Sequence, residues 1–241
     1  MKNEETVKLE TSGSRRRFIK TAATASAFSI LPAQSVWGAC TISGAVSGNQ
    51  SRVNAQCTFP NISGGRSPGT WKKFVPGASL NKANKKTKAI FHNVAVAKDT
   101  YGGSSQTYKD IRNCYRDWLL DIVANDELIS SDTLQFAASM NPSLSGLPSS
   151  MSVEEGLLSN GAGFNNIFYH VAAGYMNAYV GMYASYPAGE ASAIAVANEI
   201  FTYWVFENSH SGPSNTDVSS LMMYDNGVTM YTHHECAVYY P

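Results

Sequence analysis

Apolar residues recur at spacings of three and four along most of the chain after residue 102, a period that predicts helices. Tyr108, Ile111, Tyr115, Trp118, Leu119 and Ile122 form an aromatic stripe on one helix, with Cys114 on its flank. A shorter helix is expected after Ser131. Ser152-Val153-Glu154-Glu155 has the S-x-x-E form of a capping box, in which side chain and backbone at a helix start satisfy each other. Phe164, Phe168, Val171, Tyr175, Tyr179 and Met182 share one face of a further helix, and Ile194, Asn198, Phe201 and Val205 one face of the next. The connector Tyr186-Pro187-Ala188-Gly189 is short enough to make that pair antiparallel.

Two stretches break the period. Residues 40–59 are β-leaning and rich in Ser, Gly and Asn, with Gly48-Asn49 placed as a hairpin turn. Residues 60–101 read as loop, punctuated by Gly64-Gly65, Pro68-Gly69 and Pro76-Gly77. Near the carboxyl end, residues 221–224 and 228–231 flank Asp225-Asn226-Gly227, a second hairpin pattern. The expected fold is α+β, mainly α: a helical core with short β-hairpins near both ends of the mature chain, and no internal repeats.

The mature chain is reckoned from residue 39 because of what precedes it. Ser14, Arg15, Arg16, Arg17, Phe18, Ile19 and Lys20 are followed by a short, modestly apolar run and then by Pro32 to Ala39. The seven positions resemble the twin-arginine signal pattern S-R-R-x-F-L-K, with Ile19 in place of leucine. The resemblance implies a removable address, residues 1–38, read by the twin-arginine translocase and cut by signal peptidase near Gly38 or Ala39. The apolar run is too short to cross a bilayer, which takes about 20 residues, and no membrane span is expected in the mature chain. Cys40 follows residues unlike a lipobox. The expected location is the periplasm, the cell surface or the medium.

The four cysteines, Cys40, Cys57, Cys114 and Cys236, all lie beyond that cut, and an even number in an oxidising compartment reads as two disulfides. Three pairings are possible. A turn at Gly48-Asn49 sets Cys40 opposite Cys57, which leaves Cys114 for Cys236.

Residues 39–241 are expected to form a single mature domain, with a β- and loop-rich basic part at 39–101 and a mainly helical acidic part at 102–241. Residues 39–109 carry ten Lys and Arg against Asp99 alone, whereas residues 110–241 carry Arg112 and Arg116 against 14 carboxylates. Lys82, Lys85, Lys86 and Lys88 are the densest basic run, which serves either as a solvated loop or as a binding surface. The asymmetry suggests self-association or contact with an anionic surface polysaccharide; no nucleic-acid partner is expected.

Candidate chemistry is sparse. The exported part has no G-x-S-x-G, H-E-x-x-H, G-x-G-x-x-G or phosphate loop; residues 64–69 come nearest to the last, but Thr70-Trp71 stands where Lys and Ser or Thr are needed. His233-His234-Glu235-Cys236 has metal-ligand residue types. On a strand only alternate members converge, so further ligands would have to come from His92, His170 or His210. The plainer reading is a polar strand end beside a disulfide, and no cofactor is assigned. His170, among Asn166, Gly174, Asn177 and Gly181, reads as a packed, hydrogen-bonded imidazole rather than a base. Asp117 and Asp121, one helical turn apart, read as a solvated face rather than an acid–base pair.

Ser67, Pro68, Gly69, Trp71 and Lys72, within Gly65 to Lys73, resemble the S/T-P-G-Y/F-W-K-N-H motif of exported bacterial proteins of uncharacterised function. The similarity extends to His170-Val171-Ala172-Ala173-Gly174-Tyr175-Met176-Asn177-Ala178, which looks like that family's alanine-rich helix ending in L-N-A. It continues into the Tyr186-Pro187 connector and the helix with Ala193-Ile194-Ala195. Thr70 stands for the usual aromatic, and Lys73-Phe74 for Asn-His. The resemblance implies export and kinship of fold and supplies no catalytic residues. The expected function is a non-catalytic binding or assembly protein of the cell envelope or extracellular space; the rival is a metal-dependent or other hydrolase exported folded.

Overall fold

The computed structural model describes residues 59–140, 144, 146–159, 164–210, 218–227 and 236, all within one compact unit. The leader residues, the Gly48-Asn49 turn, Cys40, Cys57 and His233 to Glu235 lie outside the described residues.

Among the described residues the fold is mainly helical, with one small antiparallel pair of strands. In chain order the elements are α1 (Pro68–Trp71), a 3-10 turn (Lys72–Phe74), α2 (Leu80–Ile90), α3 (His92–Tyr101) and α4 (Gln106–Asn125). Then come β1 (Glu127–Ile129), α5 (Ser131–Met140), β2 (Met151–Ser152), α6 (Val153–Leu158), α7 (Phe164–Tyr179), α8 (Glu190–His210) and α9 (Val218–Met222).

The aromatic stripe of α4 turns inward: Tyr108, Ile111, Tyr115, Leu119 and Ile122 are buried. The Ser105 hydroxyl caps its start by accepting the Tyr108 N–H at 3.5 Å. The capping box at α6 is complete, because Glu155 N–H donates to Ser152 Oγ at 3.2 Å and Ser152 N–H donates to Glu155 Oε2 at 2.8 Å. Between these helices β1 pairs with β2, Glu127 opposite Ser152 and Ile129 opposite Met151. Leu128 and Ile129 are both buried there.

Helix α7 is the centre. Every residue from His170 to Ala178 is buried, and the helix meets α8 along its length while also touching α6, α1, α9 and β1. A helix so enclosed is apolar or small on nearly all sides. Phe168 stacks on Phe201 with ring centroids 5.7 Å apart, and Gly174 lies against Ile200 and Val196. Contacts that run forward on α7 and backward on α8 make the pair antiparallel. A Cβ at Gly174 would meet Ile200 Cδ1 at 2.5 Å, so the helices approach this closely only over glycine.

Three sequence expectations are corrected. Residues 60–101 are not loop: they hold α1, the 3-10 turn, α2 and α3. On α2 only Ala83, Thr87 and Ile90 are buried, at positions i, i+4 and i+7, a narrow stripe that four lysines obscure. Phe91 breaks α2 from α3 in an extended conformation and stacks on Tyr115 at 4.5 Å. The first arm of the carboxyl-terminal hairpin is also not a strand. Val218 and Met222, four apart and both buried, make the one-turn helix α9 against α7, and residues 228–231 lie outside the described residues. Met182 falls beyond the end of α7.

Among the described residues no helix is long and apolar enough to cross a membrane. Cys114, on the flank of α4, is bonded to Cys236 with Cα atoms 5.7 Å apart.

Candidate functional site

The residues that carried the two sequence similarities meet at one side chain. Gly64 and Gly65 enter the left-handed region, with φ of 82° and 75°, and bend the chain into α1. Ser67 is extended, as a residue before proline prefers, and Pro68 opens the helix where no N–H is needed. This delivers Trp71 to full burial against Phe74.

Asn177 of α7 receives it. Its Oδ1 accepts the Arg66 N–H at 2.7 Å and the Trp71 Nε1–H at 3.1 Å; its Nδ2 donates to the Arg66 carbonyl at 3.0 Å and to the Tyr183 hydroxyl at 3.1 Å. Two donors and two acceptor positions are all that a carboxamide has, and here all are used. The two incoming N–H groups fix which end is oxygen. A Cβ at Gly65 would lie 2.6 Å from Asn177 Cγ, so the turn needs glycine for space as well as for φ. Burial pushes the Tyr183 hydroxyl above the ordinary tyrosine value, with the Asn177 bond opposing.

The carboxyl-terminal segment clamps the outer side of the same turn. Gly64 N–H donates to the Met223 carbonyl at 3.1 Å, and Asp225 N–H to the Gly65 carbonyl at 2.8 Å. Asn226 Oδ1 accepts from Ser67 N–H and Ser67 Oγ, both at 3.2 Å, and from Thr70 Oγ1 at 3.4 Å. Asp225-Asn226-Gly227 is a turn, as expected, but it serves as a brace. Met223 is left-handed at φ 42° and 62% exposed, an arrangement that costs a non-glycine residue about 1–2 kcal/mol.

His170 stands beside this brace. Its Nδ1 is 2.8 Å from the Tyr224 hydroxyl, and the two rings stack at 5.9 Å. The Ser67 hydroxyl is committed to Asn226, so serine and imidazole do not form a nucleophile–base pair. Arg66 is buried, with Nη2 donating to the Ala89 carbonyl. Desolvation draws its guanidinium down from the ordinary arginine value, and the Asp225 charge opposes this. Tyr169, pushed up by burial, holds its hydroxyl 3.9 Å from where a Cβ on Gly69 would lie.

The remaining candidates lie elsewhere. Asp117 is 61% exposed and paired with Arg116 at 2.7 Å, and exposed Asp121 accepts from Asn125 at 2.8 Å, as a solvated face requires. Lys72 follows α1 at the start of the 3-10 turn. His92 begins α3 and His210 ends α8. Among the described residues no group of three or more His, Cys, Asp or Glu is placed to hold a metal ion.

Two acid–phenol pairs, one buried and one half-buried, were not foreseen. Tyr175 donates to Asp126 Oδ2 at 3.0 Å, and Tyr186 to Glu199 Oε2 at 2.6 Å. Burial raises the Glu199 carboxyl above its ordinary value, and the Tyr186 bond works against that rise. Tyr179 is pushed up to about 12, by burial first and then by the charges of Asp126, Glu190 and Asp121. The structural weight of Asn177 was legible in principle: a lone carboxamide in the run Val171 to Val180 must find partners if it is buried.

No protein-family model, no curated protein and no solved structure matches this chain.

Proposed function

We propose that this chain is an exported protein of the cell envelope or extracellular space that acts by binding or assembly, through charged surfaces rather than a catalytic centre. One observation carries this reading. The polar side chains around the turn, Asn177, Asn226 and Ser67, are engaged in holding the chain to itself, whereas lysines 82 and 85 stand exposed on α2. Export rests on Ser14 to Lys20. Removal of the leader would leave 12 basic and 15 acidic side chains, with the basic ones concentrated before residue 110. Binding between surfaces of this kind is steered by charge and weakens with salt.

The test has two arms. Arg15→Lys with Arg16→Lys is expected to leave the precursor in the cytoplasm, and mature protein appearing outside at the normal rate would reject the export arm. Secreted protein is expected to associate, with itself or with isolated cell-envelope polysaccharide, at about 0.01 M salt and to release at about 1 M, as the Debye length falls from about 30 to about 3 Å. Absence of any association at low salt would reject the binding arm, and hydrolytic turnover abolished by His170→Gln would replace this reading with the enzymatic one.

A further inference from the structure

Within that reading, two charged helix faces, one basic and one acidic, are complementary. On α2 the buried residues Ala83, Thr87 and Ile90 define the inward side. At 100° per residue, Lys82, Lys85 and Lys86 fall within about 100° of arc, from Lys85 opposite that side, through Lys82, to Lys86 on its flank. Lys82 and Lys85 are exposed and Lys86 is half-exposed. None of the three lies within ion-pair distance of a described carboxylate. Lys88 extends this face toward Lys98 of α3. Lys88 is drawn down from the ordinary lysine value by Lys98 first and by desolvation second. Like charges held side by side repel, and an anionic surface laid across them relieves that repulsion.

The chain carries such a surface. On α4, Asp110, Asp117 and Asp121 recur at seven and four residues, which places them within about 40° of arc. They lie opposite the buried stripe of Tyr108, Ile111, Tyr115 and Leu119, and all three are exposed. Their bonds are local and leave the carboxylates facing outward: Asp110 accepts from Gln106 at 2.7 Å, Asp117 from Arg116 at 2.8 Å and Asp121 from Asn125 at 2.8 Å. The spacings also match. Lys82 and Lys86 are four residues apart, as are Asp117 and Asp121, so each pair spans about 6 Å along its helix.

We propose that a second copy of this chain docks the Asp110, Asp117 and Asp121 face of its α4 on the Lys82, Lys85 and Lys86 face of α2. The inference rests on the binding reading above and names the partner. It does not require any of these residues for folding, since each is exposed or half-exposed.

The experiment is sedimentation velocity on the secreted protein at about 0.01 M and about 1 M salt. Wild type is expected to associate at low salt and to be monomeric at high salt. K82E/K85E/K86E, and separately D110K/D117K/D121K, should each raise the concentration for half-association at least tenfold, with unchanged helical circular dichroism. An equimolar mixture of the two should associate again, because each supplies the face the other has lost. K82Q/K85Q/K86Q, which introduces no new charge, should show the same loss and guards against a folding artefact of reversal. Monomeric wild type at low salt overturns the inference, and so does a mixture that fails to associate. If wild type is monomeric yet binds envelope polysaccharide, and K82E/K85E/K86E abolishes that binding, the second copy is rejected as partner while the binding reading stands.

Discussion

The surroundings of Asn177 and the outer face of α2 are both polar, and they use polarity in opposite ways. Asn177 is fully buried, with all four of its hydrogen-bonding positions filled by Arg66, Trp71 and Tyr183. On α2, Lys82 and Lys85 stand exposed and, like Lys86, have no described carboxylate in ion-pair contact. Removing one partner from the first arrangement strands the others without water, which costs about 1–3 kcal/mol for each buried group left unsatisfied. Changing the second costs almost nothing in stability and alters only what the surface can meet. Polarity alone does not separate a structural residue from a binding one; its saturation does.

Asn177→Leu is the hardest blow to this contrast. It leaves the Trp71 indole N–H, both Arg66 backbone groups and the Tyr183 hydroxyl without their shared partner. A loss of about 3–5 kcal/mol is expected in urea unfolding, less than the sum because the groups relax together. A loss under about 1 kcal/mol would mean that Asn177 does not hold the turn. Gly65→Ala attacks the same place from the other side, through a left-handed φ and a Cβ set against the carboxamide. About 2–4 kcal/mol is expected, by the same measurement.

Trp71→Phe tests one bond of the set. The ring stays apolar and slightly smaller, and Asn177 loses one donor, so about 1–2 kcal/mol is expected from thermal or urea unfolding.

Glu199→Gln carries a pH signature. A carboxyl whose folded value is raised contributes stability at low pH, which is lost as the pH rises through that value. The amide keeps an acceptor for Tyr186 and cannot ionise. The variant should therefore be slightly more stable than wild type at neutral pH, with the difference vanishing below the ordinary glutamate value. Unfolding midpoints across that range decide the matter, and a neutral-pH loss would show that the charge itself is needed.

The smallest effect is expected from K82E/K85E/K86E, within about 0.5 kcal/mol of wild type in urea. A large loss there would erase the contrast, because the lysines would then be structural too.

The sequence showed best what is periodic and local. The stripe on α4, the α7–α8 pair and the Ser152–Glu155 box all follow from residues within a few turns of one another. Helices α2 and α3 were missed because their inward faces are narrow and small: Ala83, Thr87 and Ile90 on one, Val94 and Ala97 on the other. The signal lies in the Phe91 ring packed on Tyr115, a contact made only once α4 is present. Of the candidate site, the S-P-G-x-W segment and the helix around Asn177 were both noticed, but the bond between them spans 106 residues, and no local pattern reports it. The bracing role of Asn226 was hidden in the same way. Asp225-Asn226-Gly227 spells a turn equally well whether its side chains face water or grip another loop.

That brace sets an order on how the molecule is completed. Ser67 and Asn226 are separated by 159 residues, so a growing chain carries the turn at Gly64 to Trp71 long before the segment that closes it has been synthesised. Contacts so remote in sequence form late, after the loops between them have been closed. The state of this one turn therefore reports whether synthesis has passed Asn226. A chain broken off before Met223 keeps the sequence of the motif and lacks the outer wall that holds it.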